Sequence, residues 1–151
     1  MLESTFNTRL LHSFTHWRRK NGISGWWHKI KDDGTPKPFD IIACFGPDGR
    51  TLAIESKMNK AVNTLNVPKL FKGREHQIPN LMRIKECGGV AWVLIVRKDN
   101  NRLHCHAMRP EIAAGLMKNG TNRMDELIEQ KMLIELPALP ESLFDLSPLF
   151  P

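Results

Sequence analysis

The chain holds only three cysteines, Cys44, Cys87 and Cys105, far apart and with no C-x-x-C pair among them. That excludes a disulfide framework and a cysteine zinc site, and it suits a reducing compartment. No apolar run approaches the roughly 18 residues that a membrane-spanning helix needs. Leu2, Glu3 and Ser4 carry neither the basic stretch nor the apolar stretch of an export signal, so a cytoplasmic protein with no membrane partner is expected. Internal repeats and low-complexity tracts are missing as well. What is present is 151 residues, 41% hydrophobic and 25% charged, with mean hydropathy −0.35. Such a composition excludes wholesale disorder and leaves room for one core.

Negative charge is scarce in one half only. Residues 1–75 hold 13 Lys and Arg against 7 Asp and Glu, whereas residues 76–151 hold 9 of each. The net charge of +6 therefore belongs to the first half, and a polyanion is expected to be met there.

Hydrophobic spacing predicts a mixed α/β order of α-β-β-β-α-β-β-α. Leu2, Phe6, Leu10, Phe14 and Trp17 recur at the helical period over residues 2–20, and Arg18, Arg19 and Lys20 suit the C-terminal end of that helix. Residues 21–37 read as a loop. Residues 39–45 and 51–57 flank Gly46-Pro47-Asp48-Gly49 and read as a hairpin. A short strand is expected near residues 64–67, a helix over 75–87, a buried strand over 90–96 and a shorter strand over 103–108. Helices follow at 111–118, with Pro110 at the first position, and near 122–132. The helix between the hairpin and the buried strand favours a parallel crossover. Residues 1–136 form one domain on this reading, followed by a tail over 137–151. That tail holds Pro137, Pro140, Pro148 and Pro151 with no Lys or Arg, so it packs as an extended segment or stays partly mobile.

The hairpin carries the chemistry. Side chains alternate along a strand, so Glu55 and Lys57 share a face. Asp40 falls opposite Glu55 if Pro47 and Asp48 form a two-residue loop. It faces Ser56 if Gly49 closes a three-residue loop with a bulge. Two converging carboxylates hold a hard cation such as Mg²⁺, for which Mn²⁺ substitutes, and a neighbouring lysine orients water and offsets charge on a phosphate. Convergence is the expected arrangement.

Further residues bear on that choice. Pro38-Phe39-Asp40, Ile54-Glu55-Ser56-Lys57, His76-Gln77 at the start of a helix, and the run GGVAWVLI over residues 88–95 together resemble the PD-(D/E)xK nuclease superfamily. Within it they are most similar to RecU-type and archaeal Holliday-junction resolvases. The resemblance covers residues 38–96 and a leading helix. It implies a restriction-endonuclease-like mixed sheet flanked by helices, with Asp40 and Glu55 as metal ligands, the Ser56 carbonyl as a further one, Lys57 as the catalytic lysine and Gln77 near the site. The chain is shorter than RecU-type enzymes and shows no counterpart of their stalk.

Glu3 falls inside the apolar stripe of the first helix, where a carboxylate needs a cation or donors, and resolvases of this group carry a metal-site glutamate on that helix. Glu3 is thus a further candidate ligand, the alternative being a favourable first-turn charge. Gln77 lies at the edge of the face formed by Ile78, Leu81 and Ile84. His76 reads as a surface or substrate contact. His104 and His106 share a strand face, but Cys105 points away and no fourth ligand is evident, so zinc is not expected. Trp17 belongs to the core, and one of Trp26 and Trp27 is expected to be buried.

These observations imply a Mg²⁺-dependent, homodimeric endonuclease acting on branched DNA, of the Holliday-junction resolvase type. Arg18, Arg19, Lys20, Lys29, Lys60, Lys69, Lys72 and Arg74 would line its DNA-binding face. The alternatives are a flap, nicking or restriction-type nuclease and a nuclease-fold protein that binds DNA without cutting it.

Overall fold

The structure is a computed structural model that describes residues 3–31 and 33–150, the first two by their backbone alone. Helix α1 (Glu3–Lys20) is followed by strand β1 (Gly25–Lys29), then by the hairpin of β2 (Ile41–Phe45) and β3 (Arg50–Met58). After β4 (Thr64–Asn66) come the short α2 (Val67–Leu70), α3 (Gln77–Glu86), β5 (Val90–Asp99) and β6 (Arg102–Met108). Helix α4 (Pro110–Leu116), β7 (Thr121–Arg123), α5 (Met124–Glu129), β8 (Ile134–Leu136), β9 (Ala138–Leu139) and β10 (Leu143–Phe144) complete the order.

Six strands form one mixed sheet in the order β1-β2-β3-β5-β6-β8, flanked by helices. Only β3 and β5 run parallel; the other neighbours are antiparallel. The crossover expected from the sequence is therefore present, and β5 lies inside the sheet with its first seven residues buried. The short strand near residue 64 exists, but it pairs with β7 in a separate two-stranded sheet. Residues 21–37 are not all loop, because β1 adds an edge strand there. Its residues are exposed or half-exposed and lack the apolar alternation that marks a half-buried strand.

Each face of the large sheet has its own core. On one, Phe6, Leu10, Phe14 and Trp17 of α1 pack against Ile41, Ala43, Leu52, Ile54, Trp92 and Leu94. Glycine at position 25 is required here: a Cβ would stand 2.6 Å from Arg18 Cδ and 3.2 Å from Phe14 Cζ. The segment after Pro137 closes the same face, with Phe144, Leu146 and Leu149 buried and Phe150 stacked on Trp17 at 3.8 Å. Trp92 Nε1 donates to the Leu149 carbonyl, and the Phe144 N–H donates to Ser13 Oγ. On the opposite face Ala53, Val93, Ile95 and Met108 pack against Ile78 and Leu81 of α3, Ala113 and Leu116 of α4, and Leu127 of α5. No helix among the described residues is long and apolar enough to cross a membrane.

Candidate active site

Register decides what the hairpin can do. Phe45 pairs with Arg50 and Ile41 with Ile54, so the ladder runs on toward Asp40 opposite Glu55. The Gly49 N–H donates to the Gly46 carbonyl at 3.4 Å around Pro47 and Asp48, the two-residue turn. Gly46 and Gly49 both have positive φ, +76° and +62°, which residues with a Cβ rarely adopt. Where the ladder ends, the Asp40 N–H donates to the Ile54 carbonyl and Asp40 Oδ2 accepts from the Ser56 N–H at 2.8 Å.

Strand alternation then sorts the side chains. Leu52 and Ile54 enter the α1 core and Ala53 the α3 core, so Glu55 and Lys57 project on the α3 side. Ile41 belongs to the α1 core and Ile42 packs on the other, which puts Asp40 on the α3 side too. Asp40, Glu55, Ser56, Lys57 and Gln77 are all buried, at 0%, 1%, 0%, 7% and 0% exposure. Buried ionised groups persist only when compensated. Lys57 Nζ lies 3.1 Å from Glu55 Oε2, donates to Gln77 Oε1 at 2.9 Å and sits 4.7 Å from the Phe71 ring centroid. Lys37 Nζ lies 2.7 Å from Asp40 Oδ1.

Gln77, the first residue of α3, is thus a direct partner of Lys57. His76 is exposed, as expected of a surface residue, and its Nε2 meets the Lys37 carbonyl at 3.0 Å, tying the loop before Asp40 to α3. Lys37 and Phe71 were missed in the sequence. The signal for Lys37 was its spacing three residues before Asp40; Phe71 reaches Lys57 only through the packing of α2, which no local pattern announces.

The residues fit a hard divalent cation. Its ligands are oxygens, Mg²⁺ needs only one or two carboxylates beside water and phosphate, and an ammonium already stands where Asp40 favours positive charge. Ser56 turns its N–H toward Asp40, and in a strand its carbonyl faces the same side. Among the described residues no group of three or more His, Cys, Asp and Glu gathers to hold a metal. The Glu3 side chain lies outside the described residues, as does Leu2 of the expected stripe.

The basic residues do not gather on one surface. Lys60 and Lys69 line a cavity of about 430 Å³ with Met58, Asn59 and Thr121, beside the end of β3. Arg74 and His76 border a smaller one, about 230 Å³, with Gly34, Thr35 and Pro36. Lys72 is exposed, and Lys29 is half-buried at the end of β1. Arg18, Arg19 and Lys20 end α1, which packs on the other face of the sheet. Both Trp26 and Trp27 are exposed, at 58% and 38%, against the expectation that one is buried. Both stand on the edge strand β1, Trp26 on the α3 side and Trp27 on the α1 side.

Fold and site together define a mixed-sheet α/β protein with two carboxylates, a lysine and a glutamine buried at the end of a β-hairpin. No family profile matches the chain, and no curated protein matches it. Among solved structures, the chain is similar to Hjc, a Holliday junction resolvase from the archaeal hyperthermophile Archaeoglobus fulgidus. Identity is 20%, the TM-score is 0.47, and the match covers 85% of this chain and 94% of that one.

Proposed function

We propose that this protein is a divalent-metal-dependent DNA endonuclease acting on branched DNA, in the manner of a Holliday-junction resolvase. The observation that carries the reading is the burial of Asp40, Glu55 and Lys57 on one sheet face, with Gln77 fixing the lysine. Burying two carboxylates and an ammonium is costly unless they serve one another or a ligand, so such clusters concentrate at sites of chemistry.

Asp40 and Glu55 would hold Mg²⁺ or Mn²⁺, with the Ser56 carbonyl beside them. When bound, the ion supplies Lewis-acid polarisation of a phosphoryl oxygen. Lys57 keeps its ammonium directed into the site, because Glu55, Gln77 and the Phe71 ring restrain it from three directions. There it meets the charge that develops on the phosphate as water attacks, at no cost of reorganisation. Gln77 holds Lys57 in that position. Lys60 and Lys69 continue positive charge away from the site along a nucleic-acid backbone. A homodimer with two-fold symmetry would bring two such sites to the two opposed strands of a four-way junction.

The test is incubation with end-labelled four-way junction, flap and linear duplex, with Mg²⁺ or with chelator. Paired cuts in the junction that need Mg²⁺ are expected. Cutting confined to flap or duplex makes it a nuclease of another specificity, and binding without any cutting removes the enzymatic reading.

A further inference from the structure

We propose that Trp26 and His28 form a stacking platform for an unpaired nucleobase next to the cleavage site, an inference that rests on the nuclease reading above. Register places the two rings. Trp26 pairs with Cys44 and His28 with Ile42, and residues directly opposite in a sheet share a face. Ile42 packs on the α3 side, so Trp26 and His28 stand on the same face as Asp40, Glu55 and Lys57. The strand leads directly to the site, because the Ile30 N–H donates to the Asp40 carbonyl at 2.8 Å. Ile30 is four steps along the chain from Trp26, roughly 13 Å when extended.

The platform is open. Helix α3 packs over β3 and β5, and on the edge strand β1 Trp26 is 58% exposed. The Trp26 and His28 rings are parallel within 1° and stacked, their centroids 5.9 Å apart, so the imidazole backs the indole and a base laid on the pair would extend the stack. Every base has a π-face, and such platforms bind unstacked bases whatever their sequence.

Charge selects the occupant. From residue 4 to residue 31 there is no Asp or Glu, while Arg9, Arg18, Arg19, Lys20, Lys29 and Lys31 are present. Lys29 follows His28 directly and pairs with Ile41, so its charge stands at the same edge of the sheet on the α1 side. Exposed indole in a stretch of chain with a net positive charge suits a polyanion that carries aromatic rings. A second copy of this chain would bring the same positive charge to the same surface. Trp27 supplies an internal control, since it pairs with Ala43 and belongs to the opposite face.

The experiment measures binding of a fluorescent flap oligonucleotide with an unpaired arm, in chelator so that nothing is cut, with molecular mass followed by sedimentation. Trp26→Ala should weaken binding about tenfold and Trp26→Phe much less, because stacking needs only a ring. Trp27→Ala should change affinity by less than about twofold. The salt dependence of Trp26→Ala should keep its slope, since the phosphates keep all their cationic partners. Wild-type affinity in Trp26→Ala overturns the platform. So does an affinity loss that only accompanies dissociation of a dimer, which would make Trp26 a subunit contact. If the protein cuts DNA with Mg²⁺ and Trp26→Ala still binds normally, the platform alone fails. A protein that neither binds nor cuts DNA overturns the nuclease reading as well.

Discussion

The two faces of the sheet are built by the same strands and differ in kind. Along β3, Leu52 and Ile54 meet Phe6, Leu10 and Phe14 of α1 in an apolar core that the C-terminal segment seals. One residue out of phase, Ala53 gives way to Glu55 and Lys57, and the other face ends in a buried charged cluster. Period-two alternation lets one strand line an apolar core on one face and carry buried charge on the other. The α1 side is closed by apolar packing, and the α3 side carries the charged cluster beside an apolar core of its own.

If that division is right, a change on one face should spare what the other provides. The largest effect is expected at Asp40. Asp40→Asn should lower Mg²⁺-dependent cleavage roughly a hundredfold or more, since losing even an outer-shell group near a metal costs 10–100-fold. DNA binding in chelator should largely survive. Undiminished cutting by Asp40→Asn, or cutting by the native protein in excess chelator, would break the assignment.

Stability separates the faces next. Phe6→Ala removes a buried ring from the α1 core and should cost about 3–5 kcal/mol, with cleavage per folded molecule unchanged. Lys57→Met strips Glu55 of its ammonium and should cost about 3 kcal/mol. Added Mg²⁺ should stabilise Phe6→Ala as it does the wild type, because a ligand that binds only the folded state does so whatever the core, and Lys57→Met more, because the ion replaces the lost ammonium beside Glu55; urea unfolding reads the difference. Equal recovery in both variants would mean that the ion does not bind at Glu55.

A smaller effect concerns which cations meet DNA. Neutralising Lys60 and Lys69, beside the end of β3, should reduce the salt slope of binding by about two, close to 0.9 for each phosphate left without its lysine. Neutralising Arg18, Arg19 and Lys20 tests the other face; a larger drop there would move part of the DNA path across the sheet.

The smallest expected effect is on acid stability. His106 is buried on β6, and burial pushes its pKa below the ordinary imidazole value; Arg97 and His104 add to the shift and Glu135 opposes it. The unfolded chain therefore takes up this proton first as pH falls. His106's contribution is complete above about pH 6.5 and is lost progressively below it, down to the folded-state value. His106→Gln should flatten that decline in unfolding measurements between about pH 7 and pH 5.

Much of this was legible in the residues. The helical stripe of Phe6, Leu10, Phe14 and Trp17, the turn at Gly46-Pro47-Asp48-Gly49 and the apolar run of β5 are local signals, and all three elements stand where periodicity put them. The pattern of Asp40 with Glu55-Ser56-Lys57 named the cluster because side-chain direction in a strand follows from spacing alone. Edge strand β1 was not legible, since its pairing with β2 is long-range and its residues lack apolar alternation.

The sequence by itself determined the alternation of β3 and therefore the shared face of Glu55 and Lys57. It left two hairpin registers open, and the ladder from Phe45–Arg50 to Ile41–Ile54 chose between them, bringing Asp40 to the same face as Glu55. Only tertiary structure brought Gln77 and Phe71 to Lys57 and Lys37 to Asp40, and only its place on the edge strand left Trp26 exposed. Local pattern sets which way a side chain points along its own element. What it meets there depends on how distant elements pack, and that is a property of the whole chain.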